Sequence, residues 1–96
     1  MTKHERFECY DEYEAEKLAG LMGWEKEHST YIQDIFDVIE NELIVILKDS
    51  SSHCILMKDN DTAARLSRLL SEVVQGKKTI FQSSYENCTT ELILFE

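Results

Sequence analysis

The chain has no proline, only three glycines and three cysteines, and about half as many cations as acids, 10 against 19 in 96 residues. Each shortage excludes something. Without proline-rich or glycine-rich stretches there is no linker and no low-complexity tract to divide the chain. The longest apolar run, Leu43 to Leu47, is about a quarter of the roughly 20 residues a membrane span requires. The opening Met1-Thr2-Lys3-His4-Glu5-Arg6 lacks the apolar centre of an export signal, so the expected location is the cytoplasm. Cys9, Cys54 and Cys88 are odd in number and widely spaced, unlike a disulfide framework, and are expected to stay reduced. Asn87-Cys88-Thr89 has the form of a glycosylation acceptor, but a chain that is not exported never meets the transferase.

The scarcity of cations leaves a net charge of −9, which argues against a nucleic-acid ligand, because a phosphate backbone is held by clustered Lys and Arg. Metal-ligand spacings are also missing: there is no Cys-x-x-Cys, no His-x-x-x-His and no calcium-loop pattern. His53 and Cys54 are adjacent, but neighbours on a strand point to opposite faces, so they are not expected to act together, and Cys54 reads as a small core residue. Gly20, Gly23 and Gly76 form no phosphate-cradling loop; Gly20 reads as a site of close backbone packing inside a helix. No cofactor, metal or catalytic constellation is expected, and the reading is of a protein that is not an enzyme.

What is present is a composition of 43% apolar and 30% charged residues, suited to one folded domain over residues 1–96 with a single core. A helix is expected from about Glu12 to Met22, where Ala15, Leu18, Ala19 and Met22 recur on one face. Asp11 and Glu14 have the form of a capping box, Tyr10 can staple back on Ala15, Gly23 can end the helix, and Trp24 can fold over its last turn. Ser29 to Glu40 satisfies two patterns: Ile32, Ile35, Phe36 and Ile39 keep helical spacing, while the β-branched and aromatic content suits a strand. Neither face of that strand would be uniformly apolar, which favours the helix.

From Glu42 the pattern is simpler. Leu43 to Leu47 reads as a central strand apolar on both faces, and His53 to Lys58 as its hairpin partner across the Ser50-Ser51-Ser52 turn. Asp59-Asn60-Asp61 caps a helix whose face is Ala63, Leu66, Leu70 and Val73, with Leu69 and Val74 beside it, ending at Gly76. Thr79 to Tyr85 and Thr90 to Phe95 form a second hairpin. The expected fold is α+β: an antiparallel sheet of four to five strands with two to three helices packed on one face. The order is ααββαββ, or αβββαββ if Ser29 to Glu40 is extended. The second order is similar to that of dimeric type III secretion chaperones, which are also small and acidic. That similarity of element order implies an adaptor that forms a homodimer through an apolar surface.

Charge is distributed unevenly. Residues 1 to 49 hold thirteen acids and five bases, residues 50 to 96 six acids and five bases. Self-repulsion at this density costs stability that a few lysines would relieve, which suggests a use for the field. Among the acids stand exposed-type aromatics, and tyrosine or tryptophan ringed by carboxylates suits an anchor against an arginine-rich surface. Glu8, Tyr10, Asp11, Glu12, Tyr13, Glu16, Trp24, Glu25 and Glu27 are the candidate partner-binding residues. The expected function is a small acidic protein-binding module. The form it suits is a stoichiometric inhibitor, such as an immunity protein or a phage-encoded anti-defence protein, that occludes a basic-surfaced enzyme such as a nuclease. The alternative is the dimeric secretion-chaperone-like adaptor.

Overall fold

A computed structural model describes residues 1–27 and 31–96, with residues 37–39 described by their backbone alone. It is α+β, with two helices and six strands among the described residues. The strands form two three-stranded antiparallel sheets in place of the single sheet of four to five strands. The elements are β1 (Thr2–Glu8), α1 (Glu12–Glu27), β2 (Ile32–Ile39), β3 (Glu42–Leu47), β4 (Ser52–Leu56), α2 (Asn60–Val74), β5 (Thr79–Glu86) and β6 (Thr89–Phe95). One sheet has the order β1-β6-β5 and the other β2-β3-β4.

The additional strand is β1. Its sequence, Thr-Lys-His-Glu-Arg-Phe-Glu, places one apolar side chain, Phe7, in the core and exposes most of the rest, so no hydrophobic alternation announces it. Backbone pairing with β6 from Thr2↔Phe95 to Glu8↔Thr89 holds it instead. Just past β1, Cys9 bridges to Met57. Tyr10 N–H donates to Leu56 O at 2.9 Å and Lys58 N–H to Glu8 O at 3.0 Å, so the two sheets meet at this corner.

The segment 29–40 corrects the expectation of a helix. Its first two residues lie outside the described ones, and Ile32–Ile39 is a strand paired antiparallel with β3. Register shifts between Ile32 and Asp34 and between Asp37 and Ile39 interrupt the two-residue period. A bulge moves the following side chains to the other face, so alternation counted without it looks mixed. Glu40, at φ 50°, makes the turn into β3.

The end of α1 is also corrected. The helix continues through Gly23, which keeps helical geometry, to Glu27. Trp24 is therefore a helical residue that remains largely exposed and not a lid, while Tyr10 stays in solvent instead of stapling onto Ala15. A side chain added at Gly20 would meet nothing within 4 Å, so close packing does not explain that glycine. The start is as expected in part: Asp11 Oδ1 accepts Glu14 N–H at 2.9 Å, but Glu14 does not complete a box. The second helix follows its sequence closely. Asp59 is its N-cap, Ala63, Leu66, Leu69, Leu70 and Val73 are buried, and Gly76 turns the chain out at φ 80°.

Both helices cover sheet faces. α1 lies on the β1-β6-β5 sheet, where buried Thr90 donates to Ala15 O at 2.9 Å and Ser83 to Ala19 O at 2.8 Å. α2 packs mainly on β2 and β3, and its Arg65 reaches β1 by donating to Arg6 O at 2.6 Å. The β3 strand buries Leu43, Val45 and Leu47 but leaves Ile44 and Ile46 half-covered, so it is apolar on both faces and enclosed on one.

Candidate functional site

The core is aliphatic, and this determines what the surface carries. Of nine aromatic residues, Phe7 alone is buried, while Tyr10, Tyr13, Trp24, Phe36, Phe81, Tyr85 and Phe95 are exposed and Tyr31 is half-buried. Aromatic rings are the largest source of burial energy available to a fold, and rings left in water are the usual anchors of protein interfaces.

Three of these rings share the acidic segment. Along α1, Glu12, Tyr13, Glu16, Gly20, Trp24 and Glu27 face solvent. At a rise of 1.5 Å per residue, this face runs about 22 Å from Glu12 to Glu27. Tyr13 is 68% exposed, Tyr10 65% and Trp24 56%, so each ring offers most of its surface. Glu8, Tyr10 and Asp11 extend the face round the β1–α1 corner, all exposed. Lys17 Nζ stands 5.3 Å from the centre of the Tyr13 ring, showing that the ring accepts a cation on its face. Trp24 leans on Tyr31 with the ring centres 5.4 Å apart.

The carboxylates differ in their engagement. Glu8 pairs with Lys58 at 3.2 Å, and Glu16 accepts the Tyr85 hydroxyl at 3.3 Å. The Glu16 carboxylate is also the main cause of the raised Tyr85 pKa, followed by burial and, more weakly, by Glu12. Asp11 is occupied as the α1 cap. Glu25 does not join the face: it is 4% exposed, and its carboxylate accepts Tyr31 N–H at 2.7 Å. The buried stripe of α1 thus runs Glu14, Ala15, Leu18, Leu21, Met22, Glu25, with a carboxylate at each end taking a backbone N–H from outside the helix. The structure therefore leaves eight of the nine proposed residues exposed along α1 and the β1–α1 corner and turns Glu25 inward.

The phenylalanines on the sheets were less accessible to sequence reasoning. Phe36 projects from the outer face of β2 with half-covered Ile44 and Ile46 beside it on β3, paired as Phe36↔Ile44 and Asp34↔Ile46. Phe81 and Phe95 meet edge to face on the other sheet, ring centres 5.0 Å apart. The available signal was local: in Ile80-Phe81 and Leu94-Phe95 two apolar neighbours must point to opposite faces, so one of each pair has to leave the core.

Catalytic geometry is not assembled at the loop where it comes nearest. Ser51 Oγ donates to Asp49 Oδ1 at 2.6 Å and lies 3.0 Å from His53 Nε2. A nucleophilic serine needs its proton directed at the imidazole, whereas here it is directed at the carboxylate, which also accepts Ser51 N–H at 2.9 Å. The three residues close the β3–β4 turn, and hydrogen bonds from Ser51 hold the Asp49 carboxyl below its usual range. His53 faces inward opposite Val45, and Cys54 faces outward opposite Ile44. Among the described residues no three His, Cys, Asp or Glu side chains converge as a metal ion would require. No helix is long and apolar enough to cross a membrane.

The cysteines reverse one expectation: Cys54 and Cys88 are exposed and Cys9 is buried. Burial pushes the Cys9 thiol from 9.0 up to about 11, with the hydrogen bond between Cys9 and Thr90 opposing and Glu14 reinforcing the shift. Cys54 is raised as well, by burial and then by Glu42. At pH 8, iodoacetamide is expected to label Cys88 first and Cys54 more slowly, and to reach Cys9 only after unfolding. Mass spectrometry of the native protein then shows two adducts, and three rapid adducts would contradict the buried thiol. A raised folded-state pKa favours the protonated thiol. Its contribution is therefore complete below about pH 9 and is lost as the pH climbs towards 11. The stability advantage of the native protein over Cys9→Ala should shrink across that window.

Comparison with known protein families, curated proteins and solved structures returns no match.

Proposed function

We propose that this protein is a binding module that captures a basic-surfaced protein on the solvent face of α1 and the adjoining β1–α1 corner. The observation that carries the reading is Tyr10, Tyr13 and Trp24 held largely in solvent among Glu8, Asp11, Glu12, Glu16 and Glu27. Rings of this kind fill pockets in a partner, and carboxylates around them pair with its arginines at the rim. The function this suits is a stoichiometric inhibitor, of the immunity or phage anti-defence type, that blocks an enzyme such as a nuclease by occupying its cationic substrate groove. It would act in the cytoplasm, where the exposed thiols of Cys54 and Cys88 stay reduced.

An electrostatic docking face has a kinetic signature. Association with the captured enzyme is expected to slow about tenfold or more between roughly 50 and 500 mM salt, with dissociation changing little. The combined Glu12→Gln, Glu16→Gln and Glu27→Gln variant should show a similar loss of on-rate at low salt while melting at or above the native temperature. Association indifferent both to salt and to these substitutions would remove the proposal.

The second reading, a homodimeric adaptor, is favoured by a specific observation: with β2 extended, α1 to β6 run in the order αβββαββ. Phe36, Ile44 and Ile46 supply an incompletely covered apolar patch for it. Sedimentation at micromolar concentration separates the two readings, since a monomer is incompatible with the adaptor.

A further inference from the structure

We propose a second docking site, distinct from the acidic face, that takes an acidic, apolar peptide segment in the cleft between the end of α1 and the start of β5. The cleft measures about 610 Å³ and is lined by Lys26, the β5 residues Thr79 to Ser83, and Phe95. That volume lies within the range of about 300–1,000 Å³ typical of ligand clefts.

Three features fix the chemistry of the occupant. Phe81 and Phe95 offer an apolar platform, each ring about half exposed and the two in edge-to-face contact. The register shift between Ile80 and Gln82 makes Phe81 the extra residue of β5, which carries its ring out beside Phe95. The strand is also an edge: it pairs with β6 alone, so its other side has backbone donors and acceptors outside any ladder. The same cleft is lined by Lys26, exposed in the last turn of α1 and with no ion pair among the described residues. In a chain with 19 acids, a cation with no carboxylate partner among the described residues, beside an apolar cleft, is complementary to a carboxylate from outside. The segment that fits carries an aromatic or branched side chain for Phe81 and Phe95, and an aspartate or glutamate next to it for Lys26. A cationic segment would meet Lys26 as a like charge, and the acidic α1 face is its better site.

The site does not depend on the reading of the acidic face, and the two are tested apart. Amide spectra of the full chain are recorded by two-dimensional NMR with two acetylated pentapeptides, Val-Asp-Phe-Glu-Val and Val-Lys-Phe-Lys-Val. The acidic peptide is expected to move the signals of Lys26, Thr79 to Ser83 and Phe95, and the basic peptide to leave them in place. Lys26→Glu should weaken the acidic peptide by about tenfold through exchange of attraction for repulsion, and Phe81→Ala by a similar factor. Three outcomes overturn the site: no movement with the acidic peptide at millimolar concentration, equal movement with both peptides, or the same movement on concentrating the protein alone. The last would assign the cleft to a second copy of the chain.

Discussion

Replacing Phe7 with alanine is expected to cost about 3–5 kcal/mol, the range for truncating a buried aromatic. A domain of this length has only about 5–15 kcal/mol in total, so the variant should unfold at a much lower denaturant concentration, or fail to hold β1 at all. The effect is large because Phe7 stands alone: it is fully buried, and the rest of β1 is mostly exposed. Above it lies the Arg65 guanidinium, 4.3 Å from the ring centre, with its Nη2 fixed on the Arg6 carbonyl. The ring therefore fixes β1 to α2 as well as to the core. β1 in turn joins the two sheets, through β6 on one side and the Cys9–Met57 bridge on the other. Phe7→Leu keeps most of the volume and should cost less than about 1.5 kcal/mol. Urea unfolding followed by circular dichroism measures both, and a loss under about 1 kcal/mol for the alanine variant would contradict a docked β1.

The same strand shows where the sequence stops being legible. Hydrophobic periodicity finds elements that bury a whole stripe, and α2 was readable residue by residue because its stripe and its Asp59 cap agree. The two hairpins were readable because β-branched runs flank short polar turns. β1 buries one side chain and is held by main-chain pairing, to which side-chain patterning is blind. β2 buries enough, but its two register shifts break the period that would identify it. Tertiary pairing with β3 then decides against the helical spacing that Ile32, Ile35, Phe36 and Ile39 also satisfy.

The acidic face was legible for a related reason: once α1 is a helix, its charged and aromatic positions follow from spacing. Glu14 and Glu25 were not separable from their exposed neighbours, because each carboxylate turns inward to accept a backbone N–H from outside the helix, that of Leu56 for Glu14 and that of Tyr31 for Glu25. A carboxylate count therefore overstates the surface charge of α1 by two. Five acids remain on the face, Glu8, Asp11, Glu12, Glu16 and Glu27, of which Glu8 is engaged by Lys58 and Asp11 by the start of α1.

Glu14→Ala is expected to be the most disruptive substitution of an acid in the chain, at about 2–4 kcal/mol. Glu14 is 7% exposed. Its Oε1 accepts Leu56 N–H at 2.8 Å and lies 3.1 Å from Lys17 Nζ. The other backbone group of Leu56, its carbonyl, accepts Tyr10 N–H at 2.9 Å. The end of β4 is thus held on both backbone groups by the β1–α1 junction, and alanine would leave the N–H without its acceptor at the corner where the sheets meet. Glutamine keeps an acceptor and loses the charge, so Glu14→Gln should retain the tether and cost about 1 kcal/mol, chiefly the pairing with a partly exposed lysine. A general loss of negative charge would instead stabilise a chain at −9 by relieving repulsion, as expected for the exposed Glu12, Glu16 and Glu27. The sign of the change therefore separates a structural acid from a surface one. Hydrogen exchange at the Leu56 amide gives the local reading: protection lost in the alanine variant and kept in the glutamine variant. Equal protection in both, with both within about 0.5 kcal/mol of the native protein, would mean that the carboxylate does not hold β4.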